Sequence, residues 1–204
     1  MSTLLTTNLK NPSSGSNNIV LNTDGTTTVS TLSSTTITGT TIQGTIKSGT
    51  AVASTSGTQI DFTGLPSWVK RVTVMLKGVS TNGSSHVLIQ VGTSSGVVAT
   101  GYLGAATQTA ASSVAAYITT GFGVYNSYGA TEVTHGSAVL SLQDSATNTW
   151  AAFGTFGLSA GTAASTKTVG GTVALTGTLD RIRITTVNGT DTFDAGSVNI
   201  LYEG

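Results

Sequence analysis

Gly92-Thr93-Ser94-Ser95-Gly96 is where residue types and spacing in this chain come closest to catalysis. The pattern G-x-S-x-G presents a nucleophilic serine only when a strand precedes it and a helix follows. Here Val97-Val98-Ala99 continues as extended chain, so the segment is expected to be a hairpin turn. His86 and His135 are the only histidines, and cysteine is absent. Neither histidine has a second ligand at helical spacing, so no transition-metal site is expected. Asp191 and Asp194 are close in sequence. They either contribute to a calcium site with backbone carbonyls or, the favoured reading, pair with Arg181 or Arg183 across the Asn188-Gly189 turn. Hydrolysis of a polysaccharide needs two positioned carboxylates, and the other acidic residues are scattered. The expectation is no catalytic residue, no metal and no cofactor. Among the aromatics, Phe122, Phe153 and Phe156 are expected in the core. Tyr125 and Tyr128, in a polar Gly-rich stretch, and Trp150 are candidates for surface contact with a flat partner such as a sugar ring.

The elements that must position these groups follow from composition. Only 8% of the residues are charged, formal net charge is zero, and 38% are hydrophobic. Ser and Thr make up about a third of the chain. A neutral, moderately apolar sequence escapes the signature of disorder, and β-branched residues favour extended backbone. An all-β fold is expected. With a pI near 6.7 there is no long-range field to draw in phosphate backbones, so nucleic acid is not an expected partner. No apolar run approaches the ~20 residues of a membrane span, so no membrane insertion is expected. Met1 to Lys10 lacks a basic region followed by an apolar block, so no secretory leader is expected.

Three segments are expected. Residues 1–25 form an arm with a turn-rich cluster, Asn11 to Asn18, and one brief strand at Ile19-Val20-Leu21. Residues 26–50 carry an internal repeat: Thr35-Thr36-Ile37-Thr38-Gly39, Thr40-Thr41-Ile42-Gln43-Gly44 and Thr45-Ile46-Lys47-Ser48-Gly49. One apolar residue per unit cannot build a core in a single copy, whereas several copies wound about a common axis can. Val29, Leu32, Ile37, Ile42 and Ile46 are therefore candidate residues of a trimerising neck.

Residues 51–204 form the head. Val72, Val74 and Leu76 share one face of a strand, as do Val87, Ile89 and Val91, Ile182 and Ile184, and Val198, Ile200 and Tyr202. Asn82-Gly83 and Asn188-Gly189 are read as hairpin turns. The Ala/Ser-rich stretch 104–116 is read as a loop or short helix, and 121–136 and 161–167 as loops. Many short strands at near-regular spacing predict an antiparallel, jelly-roll-like sandwich.

Leu9-Lys10-Asn11-Pro12-Ser13-Ser14 with Asn18-Ile19-Val20-Leu21-Asn22-x-Asp24-Gly25-Thr26 resembles the N-terminal arms of tailed-bacteriophage fibre and related virion proteins. Ile60 to Arg71 and Arg181 to Gly189 resemble a β domain at the distal end of such proteins. The resemblance implies a homotrimer assembled in the host cytoplasm, bound to other virion proteins by its N-terminal arm. Its head would touch the host surface, a polysaccharide in the leading reading. The alternative is a purely structural virion protein, such as a head fibre, capsid decoration or tail attachment component.

Overall fold

In a computed structural model the described residues are 8–9, 13, 19–23, 27–29, 46–109, 112–126, 128–160 and 163–204. The chain divides into two compact units, 1–42 and 43–204. In the first, β1 (Asn8–Leu9), β2 (Ile19–Leu21) and β3 (Thr27–Val29) form an antiparallel sheet with β2 in the centre. The apolar run of the expected arm is thus a strand, and it has partners on both sides.

The described residues of the second unit hold fourteen further strands. They are β4 (Lys47–Ser48), β5 (Val52–Ala53), β6 (Ile60–Phe62), β7 (Arg71–Thr81), β8 (Val87–Thr93), β9 (Gly96–Val97) and β10 (Leu103–Thr109). Then follow β11 (Ser113–Ile118), β12 (Phe122–Val124), β13 (Val133–Asp144), β14 (Thr149–Ala160), β15 (Ala163–Ala174), β16 (Arg181–Thr186) and β17 (Phe193–Glu203). A nine-stranded sheet has the order β11-β10-β15-β14-β13-β7-β17-β4, with β5 also on β17. A five-stranded sheet has the order β12-β8-β16-β6, with β9 on β8. Every pairing is antiparallel. The all-β, antiparallel expectation for the head holds. Lys47–Ser48, assigned to the repeat on sequence, pairs with β17.

Alternation drives the packing. Val72, Val74 and Leu76 of β7 and Val198 and Ile200 of β17 share one core with Ile89 and Val91 of β8 and Ile182 and Ile184 of β16. Strand β8 is buried along its whole length, because its other face is covered too: Leu88 packs on Ala106 and Ile118. The stretch 104–116, read as loop or helix, is instead most of the β10–β11 hairpin. The 161–167 stretch ends inside β15, whose register with β14 runs without a break from Ala174 to Ala163.

The two Asn-Gly turns are corners between sheets, not hairpins. Strands β7 and β8 lie in different sheets, as do β16 and β17. The turns instead bond to each other. Thr192 N–H donates to Asn82 Oδ1 (2.9 Å), Ser85 N–H to Asp191 Oδ2 (2.9 Å), and Asn188 N–H to Ser85 Oγ (3.0 Å). Turn chemistry reports a reversal of the chain but not whether the next strand pairs or crosses over.

Tyr102 ties the stretch before β10 to the core. Fully buried, its hydroxyl accepts from Val91 N–H (2.8 Å) and donates to Val98 C=O (3.0 Å), and its ring meets Phe122 edge-on at 5.0 Å. Burial pushes the phenol pKa well up. The substitution Tyr102→Phe keeps the ring but strands the Val91 N–H, which is expected to cost about 1–3 kcal/mol in urea unfolding.

Candidate functional site

The stretch read as Gly- and Tyr-rich loop holds β12, and the polar segment 125–132 follows it. Its shape comes from short polar side chains bonding their own backbone. Gly129 N–H donates to Asn126 Oδ1 (2.9 Å) and Glu132 N–H to Gly129 C=O (3.1 Å), closing a single turn over Gly129–Thr131. Gly129 has φ +65°, a left-handed conformation that suits glycine. The turn carries Tyr128 outward, 37% exposed. Tyr125 is half-buried, its ring 4.3 Å from the His86 imidazole and tilted 31°. His86 is accordingly half-buried. Its Nδ1 accepts from Asn126 N–H (3.0 Å). Burial lowers the His86 pKa, and the Glu132 charge opposes part of that shift.

Beneath the turn lies an ion pair that the sequence reading did not anticipate. Glu132 Oε1 accepts from Lys167 Nζ, and both side chains are almost wholly buried. Lys167 also donates to Thr134 Oγ1 (3.0 Å). Desolvation pulls the Lys167 pKa down, and the Glu132 carboxylate counters it. Gln108 lies opposite Lys167 in the β10–β15 register, is buried, and has no hydrogen-bond partner at either amide atom among the described residues. One signal was available: Lys167, Val169 and Val173 share a parity, which places the lysine on the inward face.

The other anticipated groups are dispersed. Trp150 is 1% exposed, facing the core from β14, so the expectation of a surface contact there is wrong. Phe153, expected in the core, is 64% exposed. Period two decides both: Trp150, Ala152 and Phe156 share the inward parity of β14, and Phe153 has the opposite one. Val29 ends β3, opposite Ile19. Ile46 is 59% exposed just before β4. Leu32, Ile37 and Ile42 lie outside the described residues.

Ser94 occupies the turn between β8 and β9, where Thr93 pairs with Gly96, as the hairpin reading expected. Its carbonyl accepts from Arg181 (3.0 Å). No histidine serves it, since His86 bonds Asn126 and His135 Nδ1 accepts from Gly78 N–H. Asp191 does not pair with either arginine. Arg181 bonds Asp180 (3.0 Å) and Arg183 grips Asp61 through two contacts of 2.7 Å. Asp191 instead holds the two corners together through Ser85 and Asn188. Among the described residues, no group of three or more His, Cys, Asp or Glu is placed to hold a metal ion. The candidate that remains is the turn at Gly129–Thr131, with Tyr128 exposed beside it and the buried Glu132–Lys167 pair at its base.

No protein-family model matches the chain, no curated protein matches it, and no solved structure matches it.

Replacing Lys167 with Met would leave Glu132 buried without its cation. The expected loss is about 3–5 kcal/mol in urea unfolding, and Lys167→Met combined with Glu132→Gln should recover most of it.

Proposed function

We propose that the chain is a homotrimeric, fibre-like virion protein of a tailed bacteriophage. Its N-terminal unit attaches to the particle, the Thr-Thr-Ile-x-Gly repeat joins three copies, and the β head reaches a host-surface glycan. The observation that carries this reading is the repeat itself, one isoleucine per five-residue unit, within which the boundary between the two compact units falls. The order β5-β17-β7-β13 facing β6-β16-β8-β12 supports a jelly-roll head, with β10, β11, β14 and β15 widening one sheet. Three weak sites on one particle gain from avidity, which fits a contact as slight as an exposed tyrosine on an uncharged turn.

A purely structural virion role is the second reading. The observation favouring it is that Trp150 is buried and Tyr125 half-buried, which leaves Tyr128 alone of the three proposed contacts near the surface.

The test is a tagged chain imaged on particles, together with purified protein added to an adsorption assay. Label on a projecting fibre and blocked adsorption are expected, with Tyr128→Ala weakening the block. Labelled particles with unchanged adsorption would favour the structural role, and unlabelled particles would overturn both readings.

A further inference from the structure

Five adjoining strands of the nine-stranded sheet, β11-β10-β15-β14-β13, carry almost no charge on their outward face, unlike β7, where Arg71 and Lys77 are exposed. Across β10, β11, β13, β14 and β15 the charged residues are Lys167, which faces inward, and Asp144, at the end of β13. Cross-strand register places Tyr117, Ala105, Gly170, Phe153 and Val139 in one line over these five strands. Tyr117 is 71% exposed and Phe153 64%, and Leu103, next to Ala105 on the same face, is 64% exposed. Between the two rings, Gly170 leaves a notch: a Cβ added there would meet no atom nearer than 3.9 Å. Ring and notch are neighbours, so the face offers both a knob and a hole.

The margin of this face is also bare. Among the described residues β11, Ser-Val-Ala-Ala-Tyr-Ile, is the last strand of the sheet, and it carries neither the charge nor the proline that usually blunts an edge. A free edge offers backbone N–H and C=O groups in strand geometry, which another polypeptide strand satisfies and a sugar does not. Five strands at ~4.8 Å spacing and lengths of ~20–40 Å give roughly 600 Å². That approaches the ~800 Å² each partner contributes to a standard interface. A neutral surface also meets its own copy without repulsion.

We infer that this face and the β11 edge are the contact surface between copies of the chain, with Phe153 and Tyr117 as its anchors. The inference rests on the homotrimeric reading above and moves part of the assembly from the repeat into the head.

Because the chain has no cysteine, single-cysteine variants of the full chain test it directly. Maleimide modification of Phe153→Cys is compared with Val187→Cys, which is 47% exposed at the corner after β16. The mass of each variant is measured by sedimentation, and a Phe153→Lys, Tyr117→Lys double variant is run beside them. The expected result is trimers in which Phe153→Cys reacts about tenfold or more slowly than Val187→Cys, as for a residue in a desolvated interface core. The double lysine variant is expected to release single copies. Trimers with equal rates would overturn the inference and leave the trimeric reading standing, whereas single copies of the unaltered chain would overturn both. Protection of Phe153→Cys only after host polysaccharide is added would make the face a glycan site, and that too overturns the inference. If Ile37→Ser, Ile42→Ser and Ile46→Ser together leave trimers intact while the lysine variant dissolves them, the inference holds and the repeat is not what joins the copies.

Discussion

Hydrophobic contact between the inner faces of the two head sheets is what everything else in the head depends on. Neither sheet forms alone, because the chain passes from one to the other at β5–β6, β6–β7, β7–β8, β9–β10, β11–β12, β12–β13, β15–β16 and β16–β17. A strand leaving the nine-stranded sheet is committed to the five-stranded one within a few residues, and its apolar parity must already point at the shared core. Val72, Val74 and Leu76 meet that demand from one side and Ile89, Val91, Ile182 and Ile184 from the other. The crossings leave backbone at the corners without strand partners, and there Asn82, Ser85, Asn188 and Asp191 supply the hydrogen bonds the strands no longer make.

A second consequence concerns charge. The chain has eight basic and eight acidic residues, and many of them are used inside the head. Asp61 with Arg183, Asp180 with Arg181, Glu203 with Arg71 and Glu132 with Lys167 pin strands or loops together. The buried Lys167–Glu132 pair is a poor source of net stability, since desolvation offsets most of the attraction. Its value lies in fixing one position for the turn that carries Tyr128. The outward face of β10, β11, β14 and β15 carries no charged side chain and exposes Leu103, Tyr117 and Phe153 among threonines and serines.

How much of this was legible beforehand depended on whether a signal was local. Strands β7, β16 and β17 announced themselves by strict alternation, and the Ser94 turn by the extended residues after it. The Asn-Gly turns were visible as turns, but pairing is a long-range property, so their role as corners was not. Strand β10 and the start of β11 escaped notice because Ala, Ser and Thr give little amplitude to a period-two pattern. Trp150 and Phe153 were misplaced by judging residue type ahead of parity, although parity was there to be read. The Glu132–Lys167 pair spans 35 positions and joins residues on separate elements, and nothing in the local sequence links them. For the repeat, Leu32, Ile37 and Ile42 lie outside the described residues, and its role rests on periodicity alone.

A single copy of the head leaves Leu103, Tyr117 and Phe153 exposed, and each unit of the repeat has one apolar residue. The most direct measurement is the mass of the intact, unaltered chain in solution across a range of concentrations, by native mass spectrometry or sedimentation equilibrium. The account predicts three copies, about 61 kDa from a 20.4 kDa chain, persisting into the micromolar range. A single-copy mass at those concentrations would contradict it.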